Sequence, residues 1–267
     1  VVKPVLMLEG FFSAAELEAC ARLRLASVIH CEEQVRLFEQ ARLAAPVDVH
    51  FKLNTGMNRL GFTARNAAAA LARLRASGNL GELTLMMHFA DADGAGGAQE
   101  QLGEFARILS GLPGAEGLPR SLANSAAILR YPETHADWVR PGIMLYGCTP
   151  FADDPGLPAT HFGLQPVMTL RSAVIGVQDL APGALVGYGG TYRAEKAMRI
   201  AIIAVGYADG YPRHAPGTNA CGTPVLVGGK RTRTVGRVSM DMIYADITGM
   251  AGVGVGSEVT LWGDGLS

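Results

Sequence analysis

CTPFADDPGLPATHFGLQP, residues 148–166, carries four prolines and separates two halves of unlike texture. Proline fixes φ and removes a backbone donor, so a run this rich in it reads as a linker. Before it, short apolar runs alternate with helical patterns. PVLML (4–8), ASVIH (26–30), VDVHFKL (47–53), LTLMMHF (83–89), SLAN (121–124) and WVRPGIMLYG (138–147) read as strands. Between them, Ser13 and Glu16 form a capping box for a helix to about Arg24, and Glu32–Leu43 is helical. Thr63 is expected to cap an alanine-rich helix over 64–76, and a further helix lies near 98–110. Such alternation predicts a parallel sheet with crossover helices. Six strands suit an open doubly wound sheet, or six of the eight units of a barrel.

After the linker the pattern becomes β-rich. VMTLRSAVIGV, RIAIIAVGY, TPVLVGG, RTVGRVS, MIYADI and EVTLWG alternate with Gly and Pro turns. The expected division is a (β/α) domain over 1–150, a linker over 151–166 and an all-β domain over 167–267.

Composition excludes several classes. The 267 residues include 49% hydrophobic and 18% charged side chains, and 23 basic residues against 24 acidic give a net charge of -1. No basic surplus points to nucleic acid or to an anionic membrane. The most apolar stretch, MRIAIIAVGYA, is too short to span a bilayer. Four scattered cysteines (Cys20, Cys31, Cys148, Cys221) show no zinc spacing and suit reduced, mostly buried thiols of a cytoplasmic protein. No metal site is expected. With no initiator Met and no signal peptide, the chain reads as a fragment cut at both ends.

Polar residues capable of chemistry fall at strand ends, where parallel α/β architectures place their sites. Lys52 closes strand three, with Arg59 in its loop; His88 closes strand four, with Asp93 beyond it. Asn124 and Ser125 end strand five. Arg140 and Gly142 lie on strand six, which reads as buried on both faces. Structural readings stand beside these: His88 as a satisfied core histidine, Asn124–Ser125 as a helix cap, Lys52 reaching for water, Arg59 in an ion pair. A buried guanidinium is costly without acceptors, so Arg140 is the hardest to explain structurally. In the β-rich half, VGYGGTY (186–192) holds Tyr188, GYADGYPR (206–213) holds Tyr207, Asp209 and Arg213, and GRVSMDM (236–242) holds Ser239, Met240 and Asp241. None is a Walker, Rossmann, zinc or GxSxG motif.

HFKLNTGMNRLGF, MMHFADAD, LANSAAIL, WVRPGIMLYG, VGYGGTY, GYADGYPR and VGRVSMDM together, in this order, resemble the bacterial alanine racemase family. The resemblance implies a (β/α)8 TIM-type barrel, about six of eight units present, followed by an all-β C-terminal domain. It implies pyridoxal 5′-phosphate (PLP) as cofactor and racemisation of alanine by two bases, for cell-wall D-alanine or for alanine catabolism. Arg140 would then face the pyridine nitrogen and His88 would stack on the ring. Ser125, Gly142 and Ile143 would hold the phosphate, with Asn124 beside them. Arg59 would serve both the cofactor oxygen and the substrate carboxylate, and Lys52 would be a carbamylated lysine orienting Arg59. Tyr188 would be one acid/base, Met240 would bind the carboxylate through its N–H, and Tyr207, Arg213 and Asp93 would shape the entrance. Tyr188 and Met240 would act on a partner's cofactor, implying a homodimer with shared sites.

The sequence departs from that pattern in one large respect. The family's Schiff-base lysine, which is also the second base, lies in a stretch like A-V-x-K-A-x-A-Y-G-H-G. None of Lys3, Lys52, Lys196 or Lys230 sits in such a stretch. The family's C-terminal phosphate-binding tyrosine has no counterpart either. The chain alone is therefore expected to be inactive. Other readings are a broader-specificity racemase, a PLP-dependent decarboxylase of the same fold, which would place an acid at the pyridine nitrogen, and a PLP carrier protein.

Overall fold

The computed structural model describes residues 3–266; Val1, Val2 and Ser267, included in the expected domain limits, lie outside them. Two compact units are present: residues up to 145 with 149–157, and residues 146–148 with those from 158 onward.

In the first unit β1 (Leu6–Met7) leads to α1 (Ala14–Leu23). Ser13 caps that helix, its side chain accepting from Glu16 N at 3.2 Å. Glu16 reaches back one residue further than a capping box requires, accepting from Phe12 N at 2.6 Å. There follow β2 (Ala26–Ile29), α2 (Glu32–Gln40), β3 (Val47–Lys52), α3 (Ala67–Ala76), β4 (Leu80–Met86), α4 (Gln99–Ser110), β5 (Arg120–Ser121) and α5 (Ser125–Arg130). All five strands are parallel, in the spatial order β1-β2-β3-β4-β5. A doubly wound sheet reverses its strand order at a switch point; a barrel does not. Chain order without reversal identifies part of a barrel.

Both faces of this sheet are covered. On β3, Val49 and Phe51 point one way and are fully buried. His50 and Lys52 point the other way and are also buried, at 4% and 8% exposure. Register places His50 opposite Thr84, Lys52 opposite Met86, and Met86 opposite Ser121. Polar His50, Lys52, Thr84 and Ser121 therefore gather around Met86 on the face away from Phe51.

Several boundaries differ from the sequence expectation. WVRPGIMLYG is not a buried strand: it makes one parallel bridge, Trp138 with Ser121, and turns into a 3-10 helix over Ile143–Tyr146. Pro141 has no N–H to extend the ladder, and Val139, Ile143, Leu145 and Tyr146 are exposed. Helix α3 starts at Ala67, not 64. Thr63 O instead accepts the N–H groups of Asn66 and Ala67, while Asn66 Oδ1 accepts from Thr63 N, closing a turn. Helix α2 stops at Gln40 because Ala41 turns extended (φ -69, ψ 150) and Asn79 Nδ2 takes its carbonyl. Strand β4 ends at Met86, leaving His88 beyond the ladder.

The second unit contains β6 (Leu170–Leu180), β7 (Leu185–Val186), β8 (Tyr192–Arg193), β9 (Met198–Ile203), β10 (Pro224–Val227), β11 (Lys230–Arg233), β12 (Ile243–Asp246) and β13 (Glu258–Trp262). Six form an antiparallel sheet in the order β11-β10-β13-β6-β9-β12, with β7-β8 a separate pair. A bridge from Thr234 to Ala245 and the bond Val235 N to Tyr244 O (2.9 Å) join its two edges. The sheet thus closes on itself, removing exposed edges. Its interior holds Val174, Ala201, Ile203, Val225, Val227, Ile243, Val259 and Leu261. RTVGRVS is not a continuous strand: β11 ends at Arg233, and Gly236 takes φ 74, a conformation that breaks a strand. Of the four free cysteines, Cys20 alone is buried, Cys31 is intermediate, and Cys148 and Cys221 are exposed, against the expectation of mostly buried thiols. The turns that carry Cys148 and Cys221 run over the surface.

Candidate active site

Arg140 is anchored by the strand ends around it. Its backbone N–H donates to Ala123 O at 2.9 Å. Its Nη1 donates to Ser121 Oγ at 2.5 Å, and its Nη2 to Met87 O at 2.6 Å and Leu122 O at 3.3 Å. Nη2 also lies 3.2 Å from His88 Nδ1. Every acceptor is neutral. Burial without a counter-ion lowers the guanidinium pKa to about 10, so the group stays charged at neutral pH. The Nε–H and one Nη1–H find no acceptor among the described residues. These are spare donors in a site with no carboxylate.

His88 takes its protonation state from this neighbour. Arginine can only donate, so Nδ1 must accept and the ring proton sits on Nε2. Burial, then the charges of Arg140, Arg59 and Lys52, bring its pKa down to about 4. The ring is therefore neutral at pH 7. His50, edge-on to Trp138 with centroids 5.4 Å apart, is also lowered to about 4, chiefly by burial and then by Arg140.

The segment after β4 has no ladder partner beyond Met87 N, which donates to Ser121 O at 3.2 Å. Side chains take over. Arg140 holds Met87 O, Gln101 Nε2 holds His88 O at 3.0 Å, Asn124 Nδ2 holds Phe89 O at 3.2 Å, and Gln101 Oε1 accepts from Ala90 N at 2.6 Å. Backbone groups left without a ladder must find such partners.

Lys52, Arg59 and His88 line one small cleft with Leu53, Asn54, Thr55, Met57 and Leu60. Lys52 Nζ makes no hydrogen bond or ion pair among the described residues. Burial, then Arg59 and Arg140, lower its pKa. Arg59 is exposed. Asn124 caps α5, its Oδ1 accepting from Ala127 N at 3.1 Å. Ser125 is buried, and its Oγ accepts from Gly142 N at 2.8 Å and from Met144 N at 3.4 Å, which brings Ser125, Gly142 and the Ile143 backbone together. Asp93 is exposed in the glycine-rich loop. Its carbonyl accepts from Arg130 Nη1 at 3.1 Å, and no hydrogen bond joins it to the Arg140 cluster.

In the second unit Tyr188 is 70% exposed, in a 3-10 turn where Gly187, Gly189 and Gly190 all have positive φ. The Arg237 guanidinium packs closely against Gly189, its Nη1 3.3 Å from where a Cβ would lie. One hollow is lined by Tyr188, Tyr207, Arg213, His214 and Arg237, with the Arg213 guanidinium 5.6 Å from the Tyr207 ring centre. Another joins Tyr188 to Met240, Ser239 and Tyr244. Tyr207 N and Ala208 N donate to Ser239 O and Met240 O at 3.1 and 2.9 Å, locking the two loops together. Sequence reasoning missed Ser121, His50, Gln101 and Arg237. Gln101 was detectable: it shares the buried stripe of α4 with Phe105 and Ile108, where a polar side chain needs partners.

Residues 1–150 match the family described as Alanine racemase, N-terminal domain, and residues 167–267 match Alanine racemase, C-terminal domain. The chain is 54% identical over 266 residues to an alanine racemase of Thiobacillus denitrificans, covering 100% of this chain and 70% of that protein. Among solved structures, the biosynthetic alanine racemase of Pseudomonas aeruginosa matches with a TM-score of 0.90 and 47% identity, over 99% of this chain and 71% of the other. An alanine racemase of Bartonella henselae, described with covalently bound pyridoxal phosphate, matches with a TM-score of 0.75 and 28% identity, over 97% and 70%.

Proposed function

The chain belongs to the alanine racemase family, and from that premise we propose that it serves the PLP-dependent interconversion of L- and D-alanine. The observation that carries this reading is Arg140: a charged guanidinium fixed by neutral acceptors, with donors to spare, beside a neutral His88. That donor set fits a phosphorylated pyridine. A spare N–H of Arg140 would donate to the ring nitrogen, and because arginine keeps its proton, that nitrogen would stay unprotonated. Ser125 Oγ with the N–H groups of Gly142 and Ile143 would hold the phosphate, and Asn124 would fix the turn that presents them. His88 would lie against the ring. Bound PLP supplies the conjugated system that takes up the electron pair left when alanine loses its Cα proton.

The remaining residues would handle the substrate. Arg59 would pair with the alanine carboxylate. Burial, then Arg59 and Arg140, lower the Lys52 pKa, which favours its unprotonated amine relative to a free lysine. That amine can add to carbon dioxide, forming a C–N bond and releasing a proton, and the resulting carbamate would orient Arg59. Tyr188 would take or return the Cα proton on one face, and Met240 N–H would steady the carboxylate. On the family pattern both would reach a partner's cofactor, hence a homodimer, with Tyr207, Arg213 and Asp93 at the entrance. The second base is the family lysine, which has no counterpart among these residues. Free thiols suit a reducing cytoplasm. Arg140 at the ring nitrogen, where a decarboxylase would need an acid, would favour the racemase over that alternative.

The test is hydrogen exchange at Cα in heavy water with each alanine enantiomer, comparing the holoenzyme with Tyr188→Phe. Exchange from one enantiomer should fall by about 100-fold or more and the other far less. Equal losses from both would overturn the role of Tyr188.

A further inference from the structure

We infer that Gln101 is a positioning residue that sets the His88 ring by tying two neighbouring strand-end loops together; this rests on the proposed role of His88 against the cofactor. Gln101 is buried, at 8% exposure, and all its polar atoms are engaged. Oε1 accepts from Ala90 N at 2.6 Å. Nε2 donates to His88 O at 3.0 Å and to Thr55 Oγ1 at 3.1 Å. Two bonds therefore bracket His88 within its own loop, and the third reaches the loop after β3, which carries Arg59.

The same device occurs two helices earlier. Gln34 of α2 accepts from His30 N at 2.8 Å, just past β2, and donates to Glu9 O at 3.0 Å and Phe11 O at 3.1 Å, in the loop after β1. In each case a buried glutamine near the start of a helix holds its own strand end with the amide oxygen and the preceding unit's loop with the amide nitrogen. Asparagine is a methylene too short for this reach, and glutamate lacks the donors. The device stiffens the carboxyl ends of the strands, where barrel sites are built. At Gln101 the loop so fixed also carries the Nδ1 that receives Arg140 Nη2. Losing the clamp frees His88 to leave that bond.

The test reads His88 with and without PLP. Nitrogen-15 NMR of histidine-labelled protein, assigned with His88→Gln, should show His88 with Nδ1 bare and Nε2 protonated before any cofactor is added. Gln101→Met, which keeps the side-chain volume, should lose this single-tautomer signature and weaken PLP binding by about tenfold. Gln101→Glu keeps the acceptor for Ala90 N and should fall between. If Gln101→Met does not fold, Thr55→Val, which removes one acceptor, should move both readouts the same way by less. An unchanged His88 signature overturns the inference, even where affinity drops, because Gln101 would then act by another route. A lost signature with unchanged PLP affinity overturns it too. A wild-type protein with the signature, lost in the variants, but with no PLP binding would uphold the clamp and refute the reading of the site.

Discussion

Arg140 and His88 show how one residue sets the chemistry of another. A guanidinium that can only donate forces His88 into one tautomer, and the burial that lowers the Arg140 pKa to about 10 also keeps His88 and His50 neutral, with pKa values of about 4. This has a stability consequence of definite sign. Both histidines titrate near 6.5 when unfolded, so between pH 6.5 and 4 the unfolded chain binds more protons than the folded one. Stability is fully present above about 6.5 and is lost as pH falls through about 4. Buried His50 contributes on the order of 3 kcal/mol over that window, and the partly exposed His88 less, because solvent screens it. Thermal unfolding across pH 4–7 should show the melting temperature falling with acid, and less steeply in His50→Gln. A flat profile in wild type would contradict these shifts.

Side chains start two of the helices in the first unit: Ser13 caps α1 and Asn124 caps α5. Helix α5 begins where Asn124 offers Oδ1 to Ala127 N, and the same side chain holds Phe89 O through Nδ2. Asn124→Ala removes both bonds. It should cost about 1–2 kcal/mol in denaturant unfolding with the m-value unchanged. A loss below a few tenths would mean that water replaces both bonds. The cap itself was legible in the sequence, because Asn before Ser at a helix start is a local signal. The bond to Phe89 was not, since 35 residues separate the partners. The sixth strand was misread for a related reason. Its apolar run looked buried, but Pro141 stops the ladder and leaves most of the run in solvent.

At the scale of the molecule, chain-ordered parallel strands and a closed antiparallel sheet each bury their own core. Leu261 lies inside the closed sheet at 3% exposure, on a strand bonded to both β10 and β6. Leu261→Ala should cost about 3 kcal/mol through lost burial and the cavity left behind. Tryptophan fluorescence of Trp262 during unfolding would report it. A change under about 1 kcal/mol would mean that the core there collapses around the gap. Among the described residues no helix is long and apolar enough to cross a membrane.

Local signals in the sequence determined most of the order of strands and helices, the change of texture at 148–166 and the strand-end placement of His88 and Ser125. Each depends on periodicity, turn residues or caps within a few positions, which a linear reading captures. Periodicity could not choose between barrel and doubly wound order, because both share the same alternation and differ only in which strands lie side by side; the family resemblance implied the barrel, and the strand order shows it. Tertiary structure alone supplied the neutral cage around Arg140 and the Gln101 clamp. These join residues 11 to 53 positions apart, and only the register of neighbouring strand ends brings such groups within hydrogen-bond distance.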